Sequence, residues 1–264
     1  MNPSLIHTQV DAQGRALVTL NRPEVHNAFD DTLISALTVE LRRLEADSAV
    51  RVVTLTGAGK SFSAGADLGW MRRMADYSPA ENLADAQALA ELMRTLDRLA
   101  KPTIALVQGP VYGGGVGLVA CCDIALASPR AAFCLSEVKL GLIPAVISPY
   151  VVAAMGARAA RRHFLTAERF SAEEALRLGL VHELVAEGEL AARGAALAEQ
   201  LLQNGPRALV AAKDLVALVA GRAIDTALIA ETAERICAAR ASAEGKEGLG
   251  AFLEKRQPQW AKGS

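Results

Sequence analysis

Three consecutive glycines, Gly113 to Gly115, stand between two apolar runs in the stretch Gln108 to Ala127, QGPVYGGGVGLVACCDIALA. Before them, Thr103 to Val107 (TIALV) is short, β-branched and apolar, the pattern of a buried strand. After them, Val116 to Cys122 continues as a buried helix. A strand, a glycine turn and a helix start leave backbone N–H groups free to face a ligand, and the helix dipole favours negative charge there. The same glycines would also serve a tight turn packed under other chain. A second stretch tips the reading toward chemistry: Phe62 to Leu68 (FSAGADL) likewise follows a strand-like run, Arg51 to Thr56 (RVVTLT). Two loops offering N–H donors can form an oxyanion hole, which stabilises negative charge developing on a carbonyl oxygen.

The elements that must position these loops follow from the rest of the chain. Leu5 to Val10 and Ala16 to Leu20 read as strands joined by a turn at Asp11 to Gly14, and Asn21 to Phe29 (NRPEVHNAF) as a polar loop. Asp30 caps an amphipathic helix that runs to about Glu45. Trp70 to Ala80 reads as irregular, and Glu81 to Leu99 as a long helix stopped before Pro102. Asp123 to Ala127, Phe133 to Leu135 and Val181 to Val185 are strand-like; Val146 to Met155 and Arg158 to Phe164 are two helices. Ser171 and Glu174 form a capping box for a helix ending near Gly179. From Leu190 onward the pattern is helical, with restarts at Pro206 and near Ile224. Alternating strands and helices up to Val185 imply an α/β fold with parallel pairing, followed by an appended helical layer.

Composition excludes several classes. Apolar residues are 52% and charged residues 22% of the 264, enough for a sizeable core. A net charge of -1 gives no sign of a nucleic-acid surface. No apolar run reaches the roughly 18 residues of a spanning helix, and the start, MNPSLIHTQV, lacks a secretory pattern, which points to the cytoplasm. Cys121, Cys122, Cys134 and Cys237 show no C-x-x-C spacing and read as small buried hydrophobes in a reducing compartment. The four histidines, His7, His26, His163 and His182, are scattered, so no metal site is expected.

FSAGADL, GPVYGGGVGLVACCDIALA and SEVKLGLIP, in this order and with these spacings, resemble the crotonase, or enoyl-CoA hydratase/isomerase, superfamily. LNRPEVHNAF near the start and AFLEKRQPQW near the end also match, so the resemblance spans nearly the whole chain. It implies a spiral of repeated ββα units over residues 1–189 and a helical trimerisation region over 190–264. The implied assembly is a homotrimer or a hexamer.

The resemblance also implies residue roles. The thioester carbonyl oxygen would be held by the N–H groups of Ala66 and Gly114. The CoA moiety, the only cofactor-like group implied, would meet Val25, His26, Ala28, Ala64, Asp67 and Leu68. Phe252 and Lys255 would approach it from a neighbouring subunit. Hydratases of the family commonly carry two glutamates. Glu137 matches one; the other would fall at position 117, which here is Gly117. A further departure follows Pro144, where a glycine-rich run is common and this chain has Ala145 to Pro149 (AVISP). Glu137 would then act alone, as base toward water and as acid toward Cα, ionised because no second carboxylate repels it. A replacement acid from the Asp76 to Asp85 segment, Glu81 or Asp85, is the rival.

AGADLGWM, FCLSEVKLGLIPAVISPYVV and FLTAERF further resemble the bacterial methylglutaconyl-CoA hydratase group, with isohexenylglutaconyl-CoA hydratases close by. Those enzymes act in leucine and acyclic terpene breakdown on acyl chains with a distal carboxylate, which Arg72, Arg73 or Lys139 would meet unless each is simply a solvated charge. An enoyl-CoA isomerase or another enolate chemistry stays open, because the oxyanion hole serves many such reactions. So does the different class of a non-catalytic acyl-CoA or RNA-binding protein.

Overall fold

The structure is a computed structural model describing residues 4–186 and 188–261. The outer ends of the two expected units, residues 1–3 and 262–264, lie outside the described residues, as does residue 187.

β1 (Ile6–Val10) and β2 (Arg15–Leu20) form an antiparallel hairpin. α1 (Asp31–Ala46) follows and buries Leu33, Ile34, Leu37, Leu41 and Leu44, one stripe at helical spacing. Next come β3 (Val52–Gly57), α2 (Leu68–Met74), α3 (Pro79–Asp97), β4 (Thr103–Val107), β5 (Val111–Tyr112) and α4 (Gly114–Cys121). The chain continues through β6 (Ile124–Ala127), β7 (Ala132–Cys134), α5 (Ser148–Thr166), β8 (Phe170–Ser171), α6 (Ala172–Leu178) and β9 (Glu183–Leu184). Four helices close it: α7 (Leu190–Leu202), α8 (Pro206–Val219), α9 (Thr226–Ala241) and α10 (Ala243–Leu253).

β2, β3, β4, β6 and β9 pair in parallel, with β1 added antiparallel at the edge, in the order β1-β2-β3-β4-β6-β9. A second sheet, β5-β7-β8, stands beside it. This is the expected α/β architecture with C-terminal helices. One face of the main sheet and α1, α3, α4 and α5 share the principal core, which includes Val18, Leu37, Met93, Val116 and Val151. The other face packs Val52, Ile104, Leu106 and Leu126 against Leu190, Ala198 and Leu202 of α7. The boundary expected at 189/190 therefore precedes a helix that covers the sheet. Beyond it, Lys213 of α8 reaches Asp123 at 2.9 Å.

Three local expectations are corrected. Of the stretch expected to be irregular, Trp70 to Met74 is helical, because Asp67 accepts the Gly69 and Trp70 N–H groups and starts α2, while 75–78 are turn and coil. α3 begins at Pro79, set by a reciprocal Ser78–Glu81 capping box. The two helices expected at Val146 to Met155 and Arg158 to Phe164 are present as the two parts of α5, joined across a kink at Gly156 (φ 77°, ψ 153°). Ser171 does cap α6, but Glu174 pairs with Arg177 and not with the cap backbone. Of the cysteines, Cys121, Cys122 and Cys134 are buried as expected, while Cys237 is exposed; all four are free thiols.

Candidate active site

The glycine turn is built by the second sheet. β5 pairs with β7, Val111 opposite Phe133 and Tyr112 opposite Cys134, and the Gly113 N–H then donates to the Cys134 carbonyl at 3.0 Å. Gly113 has φ 48°, a left-handed conformation that side chains resist, and it swings the chain into α4. Gly114 is thus the first residue of that helix, and its N–H has no partner among the described residues.

FSAGADL lies against this turn. Ser63 bridges to Val111, and the Tyr112 N–H donates to the Ser63 carbonyl at 2.9 Å. A side chain at Gly65 would meet the Tyr112 carbonyl at 3.2 Å, and Gly65 has φ 86°. On its other side the segment pairs with the Asn21–Phe29 loop. The Phe29 N–H donates to the Gly65 carbonyl at 2.6 Å, and the Asp67 N–H to the Phe29 carbonyl at 2.7 Å. Between those two bonds the Ala66 N–H is left without a partner among the described residues, and Ala66 is exposed. Two free donors therefore stand on adjoining segments, with the Phe29 ring packed at Gly114.

Glu137 completes the group. β7 leads directly into a 3₁₀ turn, Glu137–Leu140, closed by the Leu142 N–H donating to the Glu137 carbonyl at 3.1 Å. The carboxylate lies beside the glycine turn: Oε1 is 3.1 Å from where a Cβ on Gly113 would stand. Its other oxygen, Oε2, is buried and accepts no hydrogen bond. Burial pushes this carboxyl above the ordinary glutamate range. Desolvation thus raises the Glu137 carboxyl even with no second carboxylate beside it.

The two departures noted in the sequence meet here. Gly117, one turn into α4, is packed under Ile147 of the AVISP run and Met93 of α3, so position 117 has no room for a glutamate. Of the rival acids, Glu81 is exposed and spent on its capping box. Asp85 is half-buried and accepts the Trp70 indole N–H at 3.0 Å; burial pushes it up, against the indole bond.

The CoA candidates divide. Val25, His26, Ala28, Ala64, Asp67 and Leu68 gather on the two paired loops, with His26 Nδ1 3.0 Å from Ser61 Oγ and the Leu68 side chain exposed. Phe252 and Lys255 lie on or just after α10, packed with α8 and α9, and Phe252 is 81% exposed. The structure does not bring these two to Ala66 or Glu137 within one chain. Arg73 is tied to Asp31 at 2.6 Å, while Arg72 and Lys139 are exposed. A cavity of about 540 Å³ opens on the outer face of the main sheet by α7, lined by residues such as Arg15, Thr56 and Gln108, and none of the candidate site residues borders it.

Two residues of the site were not singled out from sequence. Asn27 is fully buried and bonds Arg22 N, Ala58 O and Ser61 O. Arg22 ties the two loops together. A polar residue inside NRPEVHNAF was the available signal for both, but a loop's long-range partners do not show in its composition. Among the described residues no group of three or more His, Cys, Asp or Glu could hold a metal. No helix among them is long and apolar enough to cross a membrane.

The family model for enoyl-CoA hydratase/isomerase matches residues 11–263. The short-chain-enoyl-CoA hydratase of Clostridium acetobutylicum is 35% identical over 248 residues, 92% of each chain. The crystal structure of an enoyl-CoA hydratase from Shewanella pealeana superposes with a TM-score of 0.95 at 47% identity, covering 98% of this chain and 97% of that one. An enoyl-CoA hydratase/isomerase from Marinobacter aquaeolei gives 0.90 at 33% identity, covering 97% and 99%. The chain belongs to the enoyl-CoA hydratase/isomerase family and is a hydro-lyase of that family.

Proposed function

We propose that this member of the enoyl-CoA hydratase/isomerase family adds water across the α,β double bond of a branched enoyl-CoA, methylglutaconyl-CoA or isohexenylglutaconyl-CoA. Such a step belongs to leucine or acyclic terpene breakdown. The observation that carries the chemistry is the partnerless Glu137 Oε2 beside a turn that presents the free Gly114 N–H next to the free Ala66 N–H.

In this reading the thioester oxygen accepts from Ala66 and Gly114. Charge moves to that oxygen as water attacks Cβ, and losing one such donor costs roughly 3–4 kcal/mol. Glu137 takes the proton of the attacking water as its hydroxide bonds Cβ, then returns that proton to Cα of the enolate, so the substrate gains one H and one OH. A carboxyl raised by burial is a stronger base than an ordinary glutamate, which suits abstraction of the water proton. Gly117, sealed by Ile147, leaves the job to one carboxylate. Val25, His26, Ala28, Ala64, Asp67 and Leu68 hold the CoA moiety, and no further cofactor or metal takes part.

Incubation with a panel of enoyl-CoAs, with product mass read directly, tests this. A gain of one water on branched substrates supports hydration; an unchanged mass with a moved double bond supports an isomerase, and no product supports simple acyl-CoA binding. The finer substrate assignment rests on FCLSEVKLGLIPAVISPYVV and AGADLGWM, with the exposed Arg72 and Lys139 as cations open to a distal carboxylate.

Assembly as a homotrimer or hexamer is supported by the apolar surface that α9, α10 and the segments beside them expose, including Ile224, Ile229, Ile236, Leu249, Phe252 and Leu253. The same assembly brings Phe252 and Lys255 to a neighbour's CoA. Light scattering should give three or six chain masses; a fully active 27.7 kDa monomer would overturn it. The units 1–189 and 190–264 serve as site-bearing core and assembly region. A cytoplasmic setting suits the four free thiols.

A further inference from the structure

The position of the Ala66 N–H is inherited from its neighbours, since residues 64–67 hang on the 26–29 segment. The Ala64 N–H donates to the His26 carbonyl at 2.9 Å, and the two bonds exchanged with Phe29 flank Ala66. The 26–29 segment is itself unusual. His26 and Asn27 both hold φ 55°, a left-handed conformation uncommon outside glycine, which Asn and His enter more readily than other residues. Asn27 supplies part of the constraint that holds it there through five hydrogen bonds: its N–H to the Arg22 carbonyl, its Oδ1 from the Arg22 N–H, its Nδ2 to the Ala58 and Ser61 carbonyls, and its own carbonyl from Ser63 Oγ.

The rest comes from one guanidinium. Arg22 Nη1 donates to the Ala28 carbonyl at 2.7 Å and pairs with Asp30 Oδ2 at 2.9 Å, while Nη2 donates to Asp67 Oδ2 at 3.1 Å. Arg22 is 14% exposed, and both acids are 17% exposed. Asp67 directly follows Ala66, and its Oδ1 caps α2. Burial disfavours the Asp67 charge, yet the Trp70 and Gly69 N–H groups and Arg22 outweigh it and hold this carboxyl below its ordinary range. Asp30 caps α1 by accepting from Leu33 N. One planar cation therefore locks the starts of two helices and the Ala28 carbonyl of the loop before α1, a fork a lysine's point charge does not reproduce.

We propose that Arg22 is a positioning residue for catalysis: through Asp67 and the Ala28 carbonyl it sets the direction of the Ala66 N–H. The inference rests on Ala66 being an oxyanion donor. A donor displaced by about an ångström loses on the order of 10²-fold in rate.

The test uses the full chain and a saturated probe, butyryl-CoA with ¹³C at the thioester carbon, read by difference infrared. The wild-type protein should draw the bound carbonyl stretch to lower frequency. Arg22→Lys and Asp67→Asn should each lose most of that displacement and at least about tenfold in kcat on the best enoyl-CoA; Asp67, itself a CoA candidate, is judged on displacement and kcat at saturation and not on KM. The double variant should lose no more than the worse single one, since both act through the same contact. Asp30→Asn keeps a helix cap and should leave displacement and kcat as they are. A folded Arg22→Lys protein with an unchanged displacement and kcat overturns the proposal while leaving the oxyanion hole standing. A wild-type protein that binds the probe without displacing its carbonyl removes the hole itself, and the proposal with it. If Arg22→Lys does not fold, the Asp67→Asn and Asp30→Asn pair decides: equal effects overturn the proposal, and an effect confined to Asp67 sustains it.

Discussion

The side chain of Ile147 stands against the backbone of Gly117: a Cβ added there would come within 2.9 Å of Ile147 Cβ and 3.1 Å of Met93 Sδ. Ile147 is itself buried, 3% exposed, so it has no free space to retreat into. The missing second glutamate is thus more than a single substitution, because the volume it would need is occupied.

Gly117→Glu should therefore destabilise the protein instead of restoring a carboxylate pair. Overpacking of this kind costs about 1–3 kcal/mol, to which burying a charge adds. A fall in Tm of several degrees is expected, at roughly 2–4 °C per kcal/mol for chains somewhat smaller than this one. Ile147→Ala combined with Gly117→Glu should recover part of the loss. Thermal unfolding of both variants checks this, and a Gly117→Glu protein as stable as wild type would mean that Ile147 yields easily.

Burial raises the Glu137 carboxyl, so the acid limb of the kcat/KM profile should fall at a pH above the ordinary glutamate value of 4.5. Activity is lost as pH drops through that raised value, because the base becomes protonated. A limb at or below 4.5 would assign the base to another carboxylate.

The same shift has a stability consequence. A carboxyl whose folded pKa exceeds its unfolded one favours the native state when protonated; that favour is complete below the unfolded value and is lost as pH rises through the folded one. Near neutrality the ionised Glu137 therefore costs stability. Glu137→Gln should raise Tm at pH 7–8 relative to wild type, and the gain should vanish below about pH 4, where both forms are neutral. Unfolding curves at the two pH values decide it; a destabilised Glu137→Gln protein at neutral pH would contradict the buried, unpartnered Oε2.

Gly114→Pro removes the free N–H and restricts φ at the first residue of α4, a position where proline is otherwise tolerated. The protein should fold, yet turnover should drop by about 10²-fold or more, the usual result of deleting one oxyanion donor. Circular dichroism and single-turnover rates separate the two effects.

The backbone parts of this site were legible because glycine is informative at them. Gly113 and Gly65 adopt conformations or approaches that side chains resist, so the triplet and FSAGADL marked the turn before any coordinates. Strands such as Thr103–Val107 were equally plain, being continuous and apolar. The seven-residue α2 was not, since Gly69 and a run of Met and Arg hide a helix that depends on the Asp67 cap and on Trp70 being buried. β5 and β8, two residues each, exist only through their pairing with β7. Arg22, Asn27 and the packing of Ile147 on Gly117 are relations between distant segments, which no local pattern carries. Glu137 was found by its motif, but its raised pKa depends on burial that only the fold supplies.

The central claim is that Glu137 is the one carboxylate that moves the proton. Turnover of Glu137→Gln, Asp85→Asn and Glu81→Gln on the best enoyl-CoA of the panel, with hydrated product counted by mass, tests it most directly. The account predicts a fall of at least about 10²-fold for Glu137→Gln, little change for Glu81→Gln, whose carboxylate faces solvent in its capping box, and at most a modest loss for Asp85→Asn, which keeps an acceptor for Trp70. An active Glu137→Gln protein beside a dead Asp85→Asn protein would contradict it and move the base to α3.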